Sequence, residues 1–132
     1  MSAKKKAAYQ KGVEAENIAA QYLRLKGYKI FEQRYKTPGG EIDLIAGKNG
    51  LVVFVEVKAH RDETQALYAV NERTRRRIEA AAGYYIADHE EVADYTMRFD
   101  VIVVPPGTVK FGGNLLGAFS LRHLDNAWLA GQ

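Results

Sequence analysis

Apolar residues recur with a helical period in several stretches of the chain, which predicts two long helices and a short third one. The first helix is predicted over residues 7–26, with Gly27 as its stop. The second is predicted over residues 67–88, and a short closing helix over residues 123–130. The apolar stripes of the two long helices consist of Val13, Ala19, Ala20 and Leu23, and of Val70, Ile78, Ala81, Ala82 and Tyr85.

Other stretches alternate with a period of two or form short apolar runs, which predicts β-strands. Strands are predicted over residues 28–34, 39–46, 51–58 and 97–104, and an edge strand over 119–121 follows a turn-rich segment. The order α-β-β-β-α-β favours an α/β fold, with a mixed sheet and helices packed on it. The strands on either side of the second helix are expected to be parallel neighbours.

The Asn49-Gly50 pair lies between two apolar runs and predicts a two-residue type I′ turn. Counting back from this turn places Asp43 opposite Glu56 and Glu41 opposite Lys58. Alternate side chains of a strand face opposite sides, so these charged residues are expected to share one face. The other face is expected to carry Ile42, Leu44 and Ala46 from one strand, and Val53, Val55 and Val57 from the next.

Asp43 and Glu56 would then be like charges at directly opposed positions, which destabilises an antiparallel pair. A register shift of two residues would leave them diagonal neighbours on the same face. A divalent cation between them removes the repulsion, because hard cations such as Mg²⁺ bind carboxylate oxygens. The alternative is an ordinary surface, with a Glu41–Lys58 ion pair worth ~0–1 kcal/mol and solvated carboxylates.

Glu16 lies on or at the edge of the helix face that is predicted to pack on the sheet. A buried carboxylate needs a partner, or its pKa rises until it is neutral. Small neighbours such as Gly12 and Ala15 would allow the helix to approach the sheet closely. We therefore expect Glu16 to reach the pocket of Asp43 and Glu56, although a solvated helix edge is the competing interpretation.

The composition fits one domain over residues 1–132, with residues 1–6 as a disordered basic tail. The chain has no cysteine, which excludes a disulfide framework and a zinc-thiolate site. The longest apolar run, residues 51–55, is too short to span a bilayer, so we expect a cytoplasmic protein without a membrane partner. The net charge of +3 is compatible with a polyanionic partner.

A basic cluster lies early in the second predicted helix. One interpretation is that it contacts the phosphates of a nucleic acid, through Arg61, Arg73, Arg76 and Arg77. The other is a solvated helix face with i,i+4 ion pairs, Glu72–Arg76 and Arg75–Glu79.

Five segments in order carry a resemblance to a known family. They are Gly12-x-x-x-Glu16, residues 40–46 (GEIDLIA), residues 54–58 (FVEVK), residues 98–101 (RFDV) and residues 123–128 (HLDNAW). The chain closely resembles the bacterial YraN family of the PD-(D/E)XK, or restriction-endonuclease-like, superfamily, which is similar to archaeal Holliday-junction resolvases. The resemblance implies a three-layer fold in which helices flank a mixed sheet.

The resemblance also implies roles for individual residues. Asp43 matches the central metal-binding aspartate, Glu56 and Lys58 match the E-x-K element, and Glu16 matches a first-helix glutamate. Mg²⁺ or Mn²⁺ is then expected to bind Asp43, Glu56, the Val57 carbonyl and Glu16, with Glu41 in the outer shell. The implied activity is metal-dependent cleavage of DNA, including branched DNA, and a homodimer would suit a substrate that is cut on two strands.

Two positions depart from the family pattern. His60 stands where a basic residue often follows the motif lysine, and Thr74 stands where a lysine is common early in the second helix. Arg73 and Arg75 flank Thr74 and are candidates to substitute for that lysine. The departures leave a second hypothesis open, a nucleic-acid-binding module with little turnover. A third, weaker hypothesis is a protein-interaction role with a vestigial pocket.

Overall fold

The computed structural model describes residues 2–109 and 121–132, which build a five-stranded mixed sheet. The first three strands are antiparallel neighbours, β3 and β4 are parallel, and β5 pairs antiparallel with β4. The α/β fold and the parallel pair predicted across the second helix are confirmed. In spatial order the strands are β1 (Lys29–Thr37), β2 (Gly40–Lys48), β3 (Leu51–Ala59), β4 (Thr96–Val104) and β5 (Arg122–Trp128).

Helices cover both faces of the sheet and give three layers. Helix α1 (Ala3–Leu25) buries Ile18, Ala19 and Leu23 against one face, and α3 (Glu72–Asp88) buries Ile78, Ala81 and Tyr85 against the other. Two shorter helices, α2 (Glu63–Ala69) and α4 (Pro106–Val109), and one 3₁₀ turn (Glu90–Val92) complete the described part. Within it, no helix has both the length and the apolar character that a membrane span requires.

Two helix boundaries differ from the prediction. Residues 3–6 form the first turn of α1 rather than a disordered tail, and Ser2 caps them by accepting a hydrogen bond from the Lys5 amide. The helix predicted over residues 67–88 is two helices, α2 and α3, separated at Val70 and Asn71. Asn71 causes the break by capping a new helix, because its side chain accepts a hydrogen bond from the Thr74 amide at 3.0 Å.

The last element is a strand, so the helix predicted over residues 123–130 is wrong. The β4–β5 ladder shifts its register between Phe99 and Val101, and Asn126 adopts a left-handed backbone with φ of 53°. This bulge brings Leu124, Ala127 and Trp128 into one core. Their spacing therefore imitates a helical stripe. Of the predicted edge strand over 119–121, residues 119 and 120 lie outside the described residues, and Leu121 directly precedes β5.

A buried carboxylate holds the β4–β5 edge together. Asp100 is fully buried and receives two hydrogen bonds of 2.8 Å from the Arg98 guanidinium. It also accepts from the amide of Asn126 at 3.0 Å and lies 2.7 Å from Nε2 of His123. Burial raises the pKa of Asp100, but the hydrogen bonds from His123 and Arg98 outweigh it and keep the carboxyl below its usual range. Asp100 is therefore a structural anion whose charge is compensated inside the protein.

Replacing Asp100 by alanine should destabilise the protein by about 3–5 kcal/mol, because Arg98 and the Asn126 amide would lose their partner. Urea unfolding measures the loss. The matched control is Asp125→Ala on the neighbouring strand β5, where the exposed side chain predicts a change of less than about 0.5 kcal/mol. Equal losses at the two positions would contradict the structural role of Asp100.

Candidate active site

The β2–β3 hairpin forms as predicted up to one point. Asn49 and Gly50 have φ of 49° and 78°, as a type I′ turn requires, and the paired residues run from Lys48↔Leu51 to Leu44↔Val55. Beyond Leu44 the described backbone pairing ends, so Asp43 does not face Glu56 in a regular ladder, nor Glu41 face Lys58. Instead, the carboxylate of Asp43 accepts the amide of Val57 at 2.8 Å. The Asp43 side chain thus takes the place of the β2 backbone carbonyl that would accept this amide in a regular ladder. The hydrogen bond fixes the Asp43 carboxylate near the end of β3.

Strand β1 is irregular at the same level. Gln33 pairs with Leu44 and Tyr35 with Ile42, but Arg34 between them has a left-handed backbone with φ of 56°. On the facing strand β2, the regular alternation of side chains between the two faces of the sheet is also broken. Ile42 packs in the core under α3, whereas Leu44, two residues later, packs in the core under α1. The prediction that these two residues share a face is wrong, because the irregular strand end interrupts the alternation.

These irregular strand ends open into a cavity of about 340 Å³ between α1, the sheet and α3. The predicted site residues Asp43, Glu56, Val57, Lys58 and Glu16 all line it, as does Glu41 from the proposed outer shell. The remaining lining residues are Gly12 and Ala15 of α1, Ala59 of β3, and Thr74, Arg77 and Ile78 of α3.

Glu56 is largely buried in this cavity, with 12% of its side chain exposed. Its pKa lies well above the usual range because burial disfavours the charged form, and because the carboxyl of Asp43 is within hydrogen-bonding contact. The ammonium of Lys58, 3.4 Å away, opposes this shift. The ordinary-surface alternative therefore fails on two counts, since Glu56 is not a solvated edge charge and Lys58 pairs with Glu56 instead of Glu41.

Glu16 reaches the cavity from α1, as predicted. Its side chain is 12% exposed, and burial together with the charge of Asp43 raises its pKa to about 7. The guanidinium of Arg34 opposes the shift, with Nε 3.7 Å from the Glu16 carboxylate. Sequence reasoning missed Arg34, because its approach depends on the left-handed backbone at that position, which a long polar side chain rarely adopts.

The arginines predicted to bind nucleic acid separate into three places. Arg77 lines both the acidic cavity and a neighbouring groove beside Gly39, whereas Arg73 and Arg76 line only the groove. Arg61 lies in a different depression with Arg122. The structure thus brings only Arg77 of this set to the predicted catalytic residues.

Local contacts explain why Arg77 takes this position. A Cβ on Gly40 would collide with the Arg77 carbonyl, so the glycine lets α3 approach the start of β2. Arg75 turns away and donates to the Val70 carbonyl at 2.9 Å, so it cannot substitute for the missing lysine at Thr74. The predicted Glu72–Arg76 pair forms at 3.7 Å, but Glu79 pairs with Arg76 and not with Arg75.

The donor set of the cavity fits a small hard cation. Asp43 and Glu56 offer carboxylate oxygens in mutual contact, and Val57 at the cavity wall offers a carbonyl. No three His, Cys, Asp or Glu side chains in residues 2–109 and 121–132 cluster closely enough to hold an ion by themselves. Mg²⁺ suits such a site, because it commonly binds one or two carboxylates and keeps several waters.

Comparison with known proteins gives a consistent set of relatives. Residues 15–104 match the model of a family described as "Uncharacterised protein family UPF0102". A UPF0102 protein of Rhodopseudomonas palustris strain BisA53 is 44% identical over 113 residues, which cover 86% of this chain and 85% of the relative. A UPF0102 protein of Mesorhizobium japonicum is 46% identical over 105 residues, covering 80% and 84%. A third, from Bradyrhizobium diazoefficiens, is 46% identical over 100 residues, covering 76% and 75%.

In the absence of divalent metal, the raised pKa of Glu16 should make stability fall as pH rises. The folded state keeps its proton up to about pH 7, whereas the unfolded state releases it near 4.5, so the free energy of unfolding declines between these values. Glu16→Gln should remove this part of the decline and leave the variant ~1–2 kcal/mol more stable than wild type above pH 7.

Urea titrations in EDTA across this pH range measure the effect. Glu14→Gln is the matched control, because Glu14 lies two residues away on α1 and does not line the cavity. Parallel stability curves for wild type and Glu16→Gln would contradict the burial argument.

Proposed function

The chain belongs to the uncharacterised protein family UPF0102, the YraN family, and we propose that it is a Mg²⁺-dependent nuclease that hydrolyses phosphodiester bonds in DNA. One observation carries the proposal. Two carboxylates, Asp43 and Glu56, meet in a cavity where burial disfavours the charge of Glu56, and the ammonium of Lys58 lies beside Glu56. Acids placed this close together lower the stability of the metal-free protein. Acids in a cleft whose pKa is strongly shifted are typical of functional sites.

Asp43, Glu56 and the Val57 carbonyl would hold the ion, with Glu16 completing its surroundings through a bound water. When bound, the ion would polarise the scissile phosphate and offset the negative charge of the transition state. The protein's own contribution is to keep the ligands fixed. The Val57 amide holds one oxygen of Asp43, so this carboxylate is oriented before the metal arrives.

Lys58 is suited to act on the reacting groups. Its side chain remains 29% exposed at the cavity, and the carboxylate of Glu56 restrains its ammonium at 3.4 Å. A cation held there can orient the attacking water and stabilise charge that develops on the phosphate oxygens. Because it lies on the strand that also carries Glu56, its position relative to the carboxylates is set by the sheet.

Arg77 would bind a neighbouring phosphate from the α3 side of the cavity. It lies one helical turn after Thr74, and both line the cavity, so it can supply the positive charge that the expected lysine would provide. Arg73 and Arg76 extend this basic surface away from the cavity. A DNA strand crossing the acidic cavity would therefore meet cations on its α3 side.

A binding module with little turnover is the second candidate. It is favoured by Thr74, because a threonine at the cavity wall cannot neutralise a phosphate as a lysine does. It predicts binding of DNA without metal-dependent cleavage, which separates it from the nuclease hypothesis. Cleavage of four-way DNA would in addition imply that two copies of the chain act together.

Asp43→Asn should lose both metal binding and cleavage. The asparagine oxygen can still accept the Val57 amide, so the fold should be kept while one charged ligand is removed. Isothermal titration with Mg²⁺ and Mn²⁺ measures binding, and an assay on linear, flapped and four-way DNA measures cleavage. Glu14→Gln is the control. Absence of metal binding in the wild type would refute the proposal, and binding of DNA without cleavage would favour the second candidate.

Lys58→Met should separate catalysis from metal binding. The variant keeps the carboxylates and should still bind the ion, but cleavage should fall by roughly 10²–10³-fold because charge stabilisation in the transition state is lost. Lys36→Met, at an exposed position of β1, is the matched control and should cleave like wild type. Unchanged cleavage by Lys58→Met would remove this lysine from the mechanism.

A further inference from the structure

A tyrosine and an arginine lead from the surface into the acidic cavity. Tyr9 precedes Glu16 by seven residues on α1, so the two side chains project from the same side of the helix. The guanidinium carbon of Arg34 lies 4.7 Å from the centre of the Tyr9 ring, and Nη1 donates to the Tyr9 hydroxyl at 3.0 Å. The Nε atom of the same guanidinium lies 3.7 Å from the Glu16 carboxylate. These contacts form a continuous strip from Tyr9 through Arg34 to the cavity.

The fold itself gives little reason for this strip. Tyr9 belongs to neither core cluster and is 54% exposed, so its ring contributes little to packing. Arg34 adopts a left-handed backbone, which costs energy for a residue other than glycine and tends to cluster at functional sites. Arg34 covers one face of the exposed Tyr9 ring, and the other face is a surface on which an unpaired nucleobase can stack.

We propose that Tyr9 and Arg34 form a nucleotide subsite beside the cavity, in which a base stacks on Tyr9 and the adjoining phosphate contacts Arg34. The occupant would be single-stranded DNA, because bases within a duplex are stacked on each other and present no free face. This inference rests on the proposed function and specifies its substrate as DNA that is unpaired next to the cut. Arg34 lies on the α1 side of the cavity and Arg77 on the α3 side, so one strand can contact both.

The subsite can be tested by binding without cleavage. The probes are a labelled single strand of about 20 nucleotides, its RNA equivalent, and a duplex of the same sequence closed by hairpins. Fluorescence anisotropy in EDTA gives the dissociation constants. Tyr9→Ala should weaken single-strand binding by roughly 5- to 100-fold, since each stacked base contributes on that order. Tyr9→Phe, which keeps the ring, should bind like wild type, and duplex binding should change by less than about twofold.

Arg34→Gln is the second variant. Loss of one phosphate contact should lower single-strand affinity and reduce the slope of log affinity against log salt by about one. Tyr68→Ala is the matched control, because Tyr68 is 80% exposed but lies on α2 and does not line the acidic cavity. It should leave all three affinities unchanged.

The outcomes distinguish this inference from the proposed function. Unchanged single-strand binding by Tyr9→Ala, or an equal loss with the duplex, would overturn the subsite even if Asp43→Asn abolishes cleavage as expected. Tighter binding of the RNA strand would overturn the assignment to DNA. A wild-type protein that cleaves no DNA but shows the expected Tyr9 effect would keep the subsite and refute the nuclease.

Discussion

The hydrogen bond from the Val57 amide to the Asp43 carboxylate is the interaction on which the site depends. It occupies the position where the next strand carbonyl would pair, so β2 and β3 separate at the point where the acidic residues begin. Without it, the buried Val57 amide would lack this partner, which costs about 1–3 kcal/mol. With it, Asp43 is fixed against Glu56, and the ends of the strands open towards Glu16.

Under the proposed function, this arrangement places the stability of the metal-free protein and its activity in opposition. Burial raises the pKa of both Glu56 and Glu16, and Asp43 adds to each shift. In the metal-free protein, the folded state is therefore most stable when these two carboxyls are protonated. A divalent cation would replace those protons and stabilise the folded state through its own binding free energy. Metal affinity should consequently rise with pH. The neighbouring cations, Lys58 and Arg34, oppose the pKa shifts of Glu56 and Glu16 but do not cancel them.

The sequence was most informative where the backbone is regular. The turn at Asn49-Gly50, the hairpin register as far as Leu44 and the parallel crossover all followed from local pattern, and so did the gathering of Asp43, Glu56 and Glu16 in one cavity. The closing strand and the role of Arg34 did not. Both depend on a left-handed residue within a strand, Asn126 and Arg34 respectively, and a bulge changes the period that sequence reasoning assumes. Such backbone states are stabilised by partners distant in sequence.

The irregular ends of the β2–β3 and β4–β5 pairs are built by the same kind of hydrogen bond, but the charge of the aspartate is balanced in only one of them. In each, an aspartate side chain accepts a strand amide: Asp43 accepts from Val57, and Asp100 accepts from Asn126. Asp100 also receives the paired nitrogens of Arg98, so the protein compensates its charge, and its pKa stays low. Asp43 is instead in contact with another carboxyl, whose pKa is raised. Because the same fold provides an internal cation for the buried Asp100 and a second acid for the partly buried Asp43, the contrast favours an external cation at Asp43.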